Sequence, residues 1–312
     1  MSTRLEVSTR NETVAFFPAG NQTLFGVLTA PTGDPLGTAV VLIPGGAGTQ
    51  DSVNRNRRWV ELARRAAALG YHAFRFDFHG AGESTGPEER LRLDRPFVDD
   101  LTGALRWIET QGVSNFILVG SCYGGRAGLS VAEHVPGLQG IVMATVYPQD
   151  MAQGERSAKL MAVEWTVGQY VRRGFSRRTL EGLRDGNRRR IYWRVFKLKA
   201  RELAALVAGR RRGAAGASPG FLEPLSSVVE RKVPVLFLYG DQDDAYRVFE
   251  RARKGRMGAL LQRADSLVQV AVLPGRSHGF PTVRIQDALL DRIEAWLAEL
   301  RTDGGAGDGM VR

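Results

Sequence analysis

From Thr38 onward the chain repeats one unit, a short and continuously apolar run followed by a stretch with helical periodicity, and this repeat constrains the fold more than any other feature. A strand without polar alternation has to be covered on both faces. Parallel strands joined by crossover helices meet that condition. Residues 39–43 open the series, and residues 71–78, 116–119, 140–146, 233–239 and 267–273 continue it. Helical patterns cover residues 55–69, 96–109, 122–134, 245–262 and 284–300. The reading is an α/β fold with a mostly parallel central sheet and helices on both faces. Two β-prone runs, residues 14–17 and 23–28, precede the repeat, with Pro18-Ala19-Gly20 as the expected turn between them.

The repeat breaks between residues 147 and 231. Positions 172–212 hold 15 Lys/Arg and 3 Asp/Glu, a local balance of +12 that exceeds the formal charge of +10 on all 312 residues. The rest of the chain is therefore slightly acidic. Ile191, Val195, Leu198, Leu203 and Leu206 recur among these cations at near-helical spacing, which predicts at least one amphipathic helix. The expected organisation is an α/β core from residues 1–146 and 232–302, a basic helical cap at 147–231 and a flexible Gly/Asp-rich tail at 303–312. Such an insertion would lie over the carboxyl edge of the sheet, where open α/β folds bind ligands. Cys122 is the one cysteine, so an intramolecular disulfide is excluded, and no Cys/His cluster has zinc-site spacing. Residues 1–21 carry charges and no apolar run, so neither a signal peptide nor a membrane anchor is expected, and the protein is read as cytoplasmic.

The segment Gly120-Ser121-Cys122-Tyr123-Gly124 directly follows a predicted strand and directly precedes a predicted helix. A sharp strand-to-helix turn of the form G-x-S-x-G strains its central residue and crowds the positions two before and two after it, which must be very small. The two glycines meet that demand only if Cys122 is the centre. Centring on Ser121 would put Val119 and Tyr123 at the crowded positions. The start of the following helix favours a thiolate there.

In this segment the sequence resembles the α/β-hydrolase family, with cysteine in place of the usual serine, as in dienelactone hydrolases and some thioesterases. The family places an acid and then a histidine after the nucleophile, each in a loop behind a late strand. Gly240-Asp241-Gln242-Asp243 is similar to the family's acid turn and points to Asp243, with Asp241 and Asp244 as close rivals and Asp150 as a weaker substitute. Of the four histidines, His72, His79, His134 and His278, only His278 lies downstream of that acid in a late loop. The resemblance further implies oxyanion donors at the Tyr123 backbone N–H and in the loop Pro44-Gly45-Gly46-Ala47-Gly48, where Gly46 is the choice and Ala47 lies one step away. Pro44 stands where relatives carry a histidine. The stretch from Arg75 to Ser84 is similar to a D-x-R-G-x-G-x-S loop and is read as structural.

The expected function is hydrolysis of an ester or thioester through Cys122, His278 and Asp243, with an S-acyl-enzyme intermediate. An acyltransferase or cyclising thioesterase that passes the acyl group to an amine or alcohol is the alternative. A non-catalytic binding protein that keeps the fold is a third reading, against which the apparent triad argues. No glycine cluster has P-loop or dinucleotide spacing, so no cofactor is expected. The cap cations Arg188, Arg189 and Arg190 are candidate contacts for an anionic acyl donor, such as a coenzyme A or acyl-carrier-protein thioester. Nucleic acid and membrane partners are disfavoured, because no recognition motif surrounds the basic clusters. Oligomeric state is left open. Neutralising Arg188, Arg189 and Arg190 together should weaken turnover of an acyl-CoA more than that of a neutral ester; equal effects on the two kcat/KM values would remove the anionic-donor idea.

Overall fold

A computed structural model describes residues 11–45, 51–89, 91–150, 216–279 and 281–305. Eight strands form one sheet: β1 (Glu12–Ala19), β2 (Gln22–Thr29), β3 (Thr38–Ile43), β4 (His72–Phe76), β5 (Asn115–Ser121), β6 (Leu138–Ala144), β7 (Val235–Gly240) and β8 (Val268–Leu273), in the order β1-β2-β4-β3-β5-β6-β7-β8. β1, β2 and β4 pair antiparallel, and every pair from β4 to β8 is parallel. The helices are α1 (Arg58–Ala68), α2 (Val98–Thr110), α3 (Tyr123–Ala132), α4 (Pro219–Glu230), α5 (Asp244–Ala252), α6 (Arg256–Ala264) and α7 (Val283–Gly305).

The unbroken apolar runs serve two cores at once. Along β3, Ala39, Val41 and Ile43 join the cluster beneath α2 to α6, while Val40 and Leu42 join the one beneath α1 and α7. Alternate side chains of a strand point to opposite faces, so only an all-apolar strand can fill both. On the second face Trp59, Leu62, Ala63 and Ala66 of α1 meet Leu289, Ile293, Trp296 and Leu297 of α7. The helical layers therefore clamp the middle strands and leave their carboxyl ends open to loops.

Several boundaries depart from the sequence reading. Pro18 is not in the hairpin turn: it pairs with Thr23 inside β1, and the turn is the two residues Gly20 and Asn21, with Gly20 at φ 54°. An edge strand tolerates the missing proline N–H, and a two-residue turn needs the positive φ that Gly20 supplies. The single helix expected over 245–262 is two, because a Cβ on Gly258 would lie 1.8 Å from the Arg253 carbonyl oxygen, a close approach that bends the chain between α5 and α6. The tail begins later than expected, since α7 continues through Gly305.

α4 falls within 147–231, the stretch that the sequence reading assigns to a cap, yet it packs in the core. α4 buries Phe221, Leu225 and Val228 in the main core and packs on α3. Arg231, just past α4, donates to the carbonyls of Ala132 and Val135 at the end of α3. Truncating Phe221 to alanine should destabilise the fold by about 3–5 kcal/mol, read as a lower midpoint of urea unfolding; a change below about 1 kcal/mol would return α4 to the cap.

Candidate active site

β5 is hydrogen-bonded on both sides, Gly120 opposite Ile43 of β3 and Ser121 opposite Ala144 of β6, so its last residues have no freedom to relax. The chain then has to turn into α3 within one residue. That residue is Cys122, at φ 52° and ψ −110°, a conformation that costs an ordinary side chain about 1–3 kcal/mol. Its N–H donates to the Ala144 carbonyl at 2.8 Å. A Cβ on Gly120 would lie 2.4 Å from the Gly124 carbonyl carbon, and one on Gly124 would lie 2.2 Å from the Pro44 carbonyl oxygen. The two glycines singled out in the sequence are thus required by backbone contact, and the loop after β3 lies directly against the turn. Cys122 is partly exposed, and the Tyr123 side chain is buried, its hydroxyl accepting from the Phe97 N–H at 2.8 Å. Tyr123 opens α3, so its N–H belongs to the first turn, which lacks intrahelical acceptors. Gly46 and Ala47 lie outside the described residues, as do Arg188, Arg189 and Arg190.

Asp243, 1% exposed in the turn after β7, is tied to the loop that carries His278. One carboxylate oxygen accepts from the backbone N–H groups of Ser277 (3.0 Å) and His278 (2.8 Å). The other accepts from the Gly240 N–H (2.8 Å) and from the Ser277 hydroxyl. Charge-assisted bonds of this kind stabilise a buried carboxylate and lock the loop to it. Gly240 makes room for the arrangement, since a Cβ there would lie 2.3 Å from the Gly275 carbonyl oxygen.

The rival acids have other partners, although Asp241 also meets the start of the His278 loop. Asp241 accepts from the Gly275 N–H at 2.8 Å, and Asp244 stands 3.8 Å from Arg247 on α5. Asp150 pairs with buried Arg126 of α3 at 2.5 Å and accepts from the Ser218 hydroxyl at 2.7 Å, which ties the chain around positions 150 and 218 to the helix behind Cys122. The other histidines are likewise placed apart from Asp243: His72 begins β4, where burial pushes its pKa down; His79 bonds Asp100 at 2.8 Å; exposed His134 sits 3.3 Å from Glu133. The loop after β4 is held by hydrogen bonds around Asp77. Asp77 accepts from the N–H groups of Ser52 and Glu83, and the Ser84 hydroxyl donates to the Asp77 carbonyl.

Other residues around the turn were not visible as site residues in the sequence. The Tyr147 ring stands edge-on to the His278 ring, with centroids 6.4 Å apart, and the neighbouring Val146 fills the space that a Cβ on Gly125 would need. Arg55 donates to the carbonyl of Gly279, the residue after His278, at 2.8 Å. Arg58 is fully buried and reaches the Ser121 hydroxyl at 3.4 Å.

A mostly parallel eight-stranded sheet with helices on both faces, a strained strand-to-helix turn after β5, and loops after β7 and β8 that meet through Asp243 are the features of the α/β-hydrolase architecture. A family model described as "Alpha/beta hydrolase family" matches residues 40–292, and the chain belongs to that family. Hydrolase activity is the function class that follows from this membership. Solved structures share the fold at low identity. Proline iminopeptidase from Mycobacterium smegmatis is 15% identical, with 94% of this chain and 100% of that one covered and a TM-score of 0.58. The esterase Pf2001 from Pyrococcus furiosus is 12% identical, with 94% and 93% covered and a TM-score of 0.54. A loop variant of the haloalkane dehalogenase DbeA-M1 from Bradyrhizobium elkanii is 15% identical, with 95% and 99% covered and a TM-score of 0.54. No curated protein matches the chain. Among the described residues no helix is long and apolar enough to cross a membrane. Gly124→Ala should abolish the activity while Gly112→Ala, where nothing lies within 4 Å of the new methyl, should leave it within about twofold despite its strained φ; full activity of Gly124→Ala in a steady-state assay would show that the turn is not the reacting centre.

Proposed function

We propose that the protein is an ester or thioester hydrolase in which Cys122 is the nucleophile, His278 moves the proton and Asp243 orients His278. The observation that carries this reading is the backbone of Cys122, at φ 52° between two glycines that contact forbids from being anything larger. Strain of this kind persists where the surrounding structure over-determines it, and it clusters at reacting centres. The chemistry follows from the residue types. The Cys122 thiol gives its proton to His278; the sulfur attacks the acyl carbonyl, and the Tyr123 N–H donates to the developing oxyanion. Attack forms the carbon–sulfur bond, and collapse re-forms the carbonyl and breaks the bond to the leaving alkoxide or thiolate, which takes the proton from His278. Water attacks next, passing a proton to His278; collapse breaks the carbon–sulfur bond, the acid leaves, and His278 returns the proton to Cys122. Asp243 supports these steps by holding the histidine loop in place through three hydrogen bonds, two from Ser277 and one from the His278 N–H.

The cysteine itself supports a second reading, acyl transfer. A thioester intermediate reacts with amines more readily, relative to water, than an oxyester does, so an amine or alcohol can replace water in the second half-reaction. A coenzyme A or carrier-bound thioester is the proposed donor, on the strength of the basic stretch 172–212.

Incubation with short acyl thioesters and p-nitrophenyl esters, with and without an added amine, should yield a covalent acyl adduct by intact mass on the wild type and none on Cys122→Ala. His278→Ala should slow acylation by about 10²–10⁴-fold. Asp243→Asn should impair turnover more than Asp150→Asn does. An adduct that survives in Cys122→Ala would remove Cys122 from the reaction, and the reverse order of the two aspartate variants would move the acid to Asp150.

A further inference from the structure

The segment between the loop after β3 and α1 is the most strained in the described chain. Asn54, Asn56 and Arg57 all stand at positive φ, 58°, 56° and 57°, three non-glycine residues within four positions. What this strain achieves is the placement of one side chain. Asn54, itself buried, turns its carboxamide oxygen to accept both from the Arg55 N–H at 2.7 Å and from the Arg58 guanidinium at 2.7 Å. Arg58 is 0% exposed. Its guanidinium lies 4.7 Å from the centre of the Trp59 ring, and the Trp59 N–H is fixed to the Ile43 carbonyl at 3.1 Å. The same guanidinium nitrogen that bonds Asn54 reaches the Ser121 hydroxyl at 3.4 Å, one residue before Cys122. A fully buried arginine is expensive to desolvate, and an exposed lysine or arginine would serve α1 equally well as a helix residue. The position is explained if the charge is wanted where it is.

We propose that the buried Arg58 guanidinium is a positioning residue that acts through Cys122, favouring the thiolate form of its sulfur at neutral pH. Its functional meaning rests on the reading of Cys122 as the nucleophile. Burial, and then neighbouring Arg55, push the Arg58 pKa well down, but a guanidinium starts so high that it keeps its proton. A fixed cation held against the residue that precedes a thiol, buried away from water, favours the charged sulfur. Among the described residues, the other charged or titratable groups on the elements around the turn include Asp51 and Arg55 before α1, Asp77 after β4, Tyr123 and Arg126 on α3, Tyr147 and Asp150 after β6, Asp243 after β7 and His278 after β8. His278, when protonated, acts in the same direction as Arg58, so the two have to be separated.

Cys122 is the one cysteine of the chain, so the pH dependence of its alkylation by iodoacetamide reports this thiol alone. The wild type should titrate below the ordinary thiol value of about 8.5. Arg58→Met should raise the midpoint by about one pH unit or more, in the wild-type and in the His278→Ala background alike. Arg58→Lys should restore most of the shift, and Arg55→Met should move it less. Asn54→Asp keeps Arg58 but sets a carboxylate against it, so the midpoint should rise in that variant too, including where Arg58→Met fails to fold. An unchanged midpoint in Asn54→Asp or in folded Arg58→Met would overturn the proposal, as would a lysine variant no different from methionine. Failure of the nucleophile reading looks different: Cys122→Ala would keep its activity while the thiol midpoint still followed Arg58.

Discussion

One residue of backbone governs the site. β5 is pinned between β3 and β6, α3 has to start immediately to cover the sheet, and the whole change of direction falls on Cys122. The neighbouring backbones then come so close that residues 120 and 124 have no room for a Cβ, and the loop after β3 is drawn against the first turn of α3. The energy for this strain comes from the two apolar layers. Each middle strand contributes side chains to both, so moving β5 to relieve Cys122 would disrupt two cores together.

The second organising element is the Asp243 carboxylate. Its four acceptor positions are met by groups from its own turn and from the His278 loop. Such a carboxylate is a structural hub before it is anything chemical, and it makes the position of the histidine loop a consequence of where β7 ends. Tyr147 approaches His278 from the segment after β6, and Arg55 holds Gly279 from the side of α1. Three separate stretches of chain thus converge on the histidine loop from different strands, as expected where the carboxyl ends of parallel strands meet.

Charge is distributed unevenly between the inside and the outside of the molecule. Arg58 and Arg126 are both buried close to the strained turn, the first against Asn54 and Ser121, the second against Asp150, the Leu93 carbonyl and the Phe221 ring. Arg126 with Asp150 and Ser218 ties the described chain on either side of residues 151–215 to the helix that Cys122 begins. Two buried cations of opposite function, one fastening a segment and one proposed to act on a sulfur, look identical in the composition of an arginine-rich chain.

Much of the architecture was legible in the amino-acid sequence because it depends on periodicity and on size. Continuous apolar runs identify doubly covered strands, and glycines flanking Cys122 identify a turn too tight for side chains; both are local demands that any arrangement of the rest must satisfy. Boundaries that depend on partners far along the chain were not legible. Pro18 stays in a strand because β1 lies at an edge, α4 belongs to the core because Phe221 finds α3, and Asp243 meets the His278 loop while Asp150 meets Arg126 because of where distant strands end. Whether Arg58 faces water or the back of the turn was likewise undetermined until the fold closed over it, since burial is a property of the neighbours and a side chain's own chemistry does not name them.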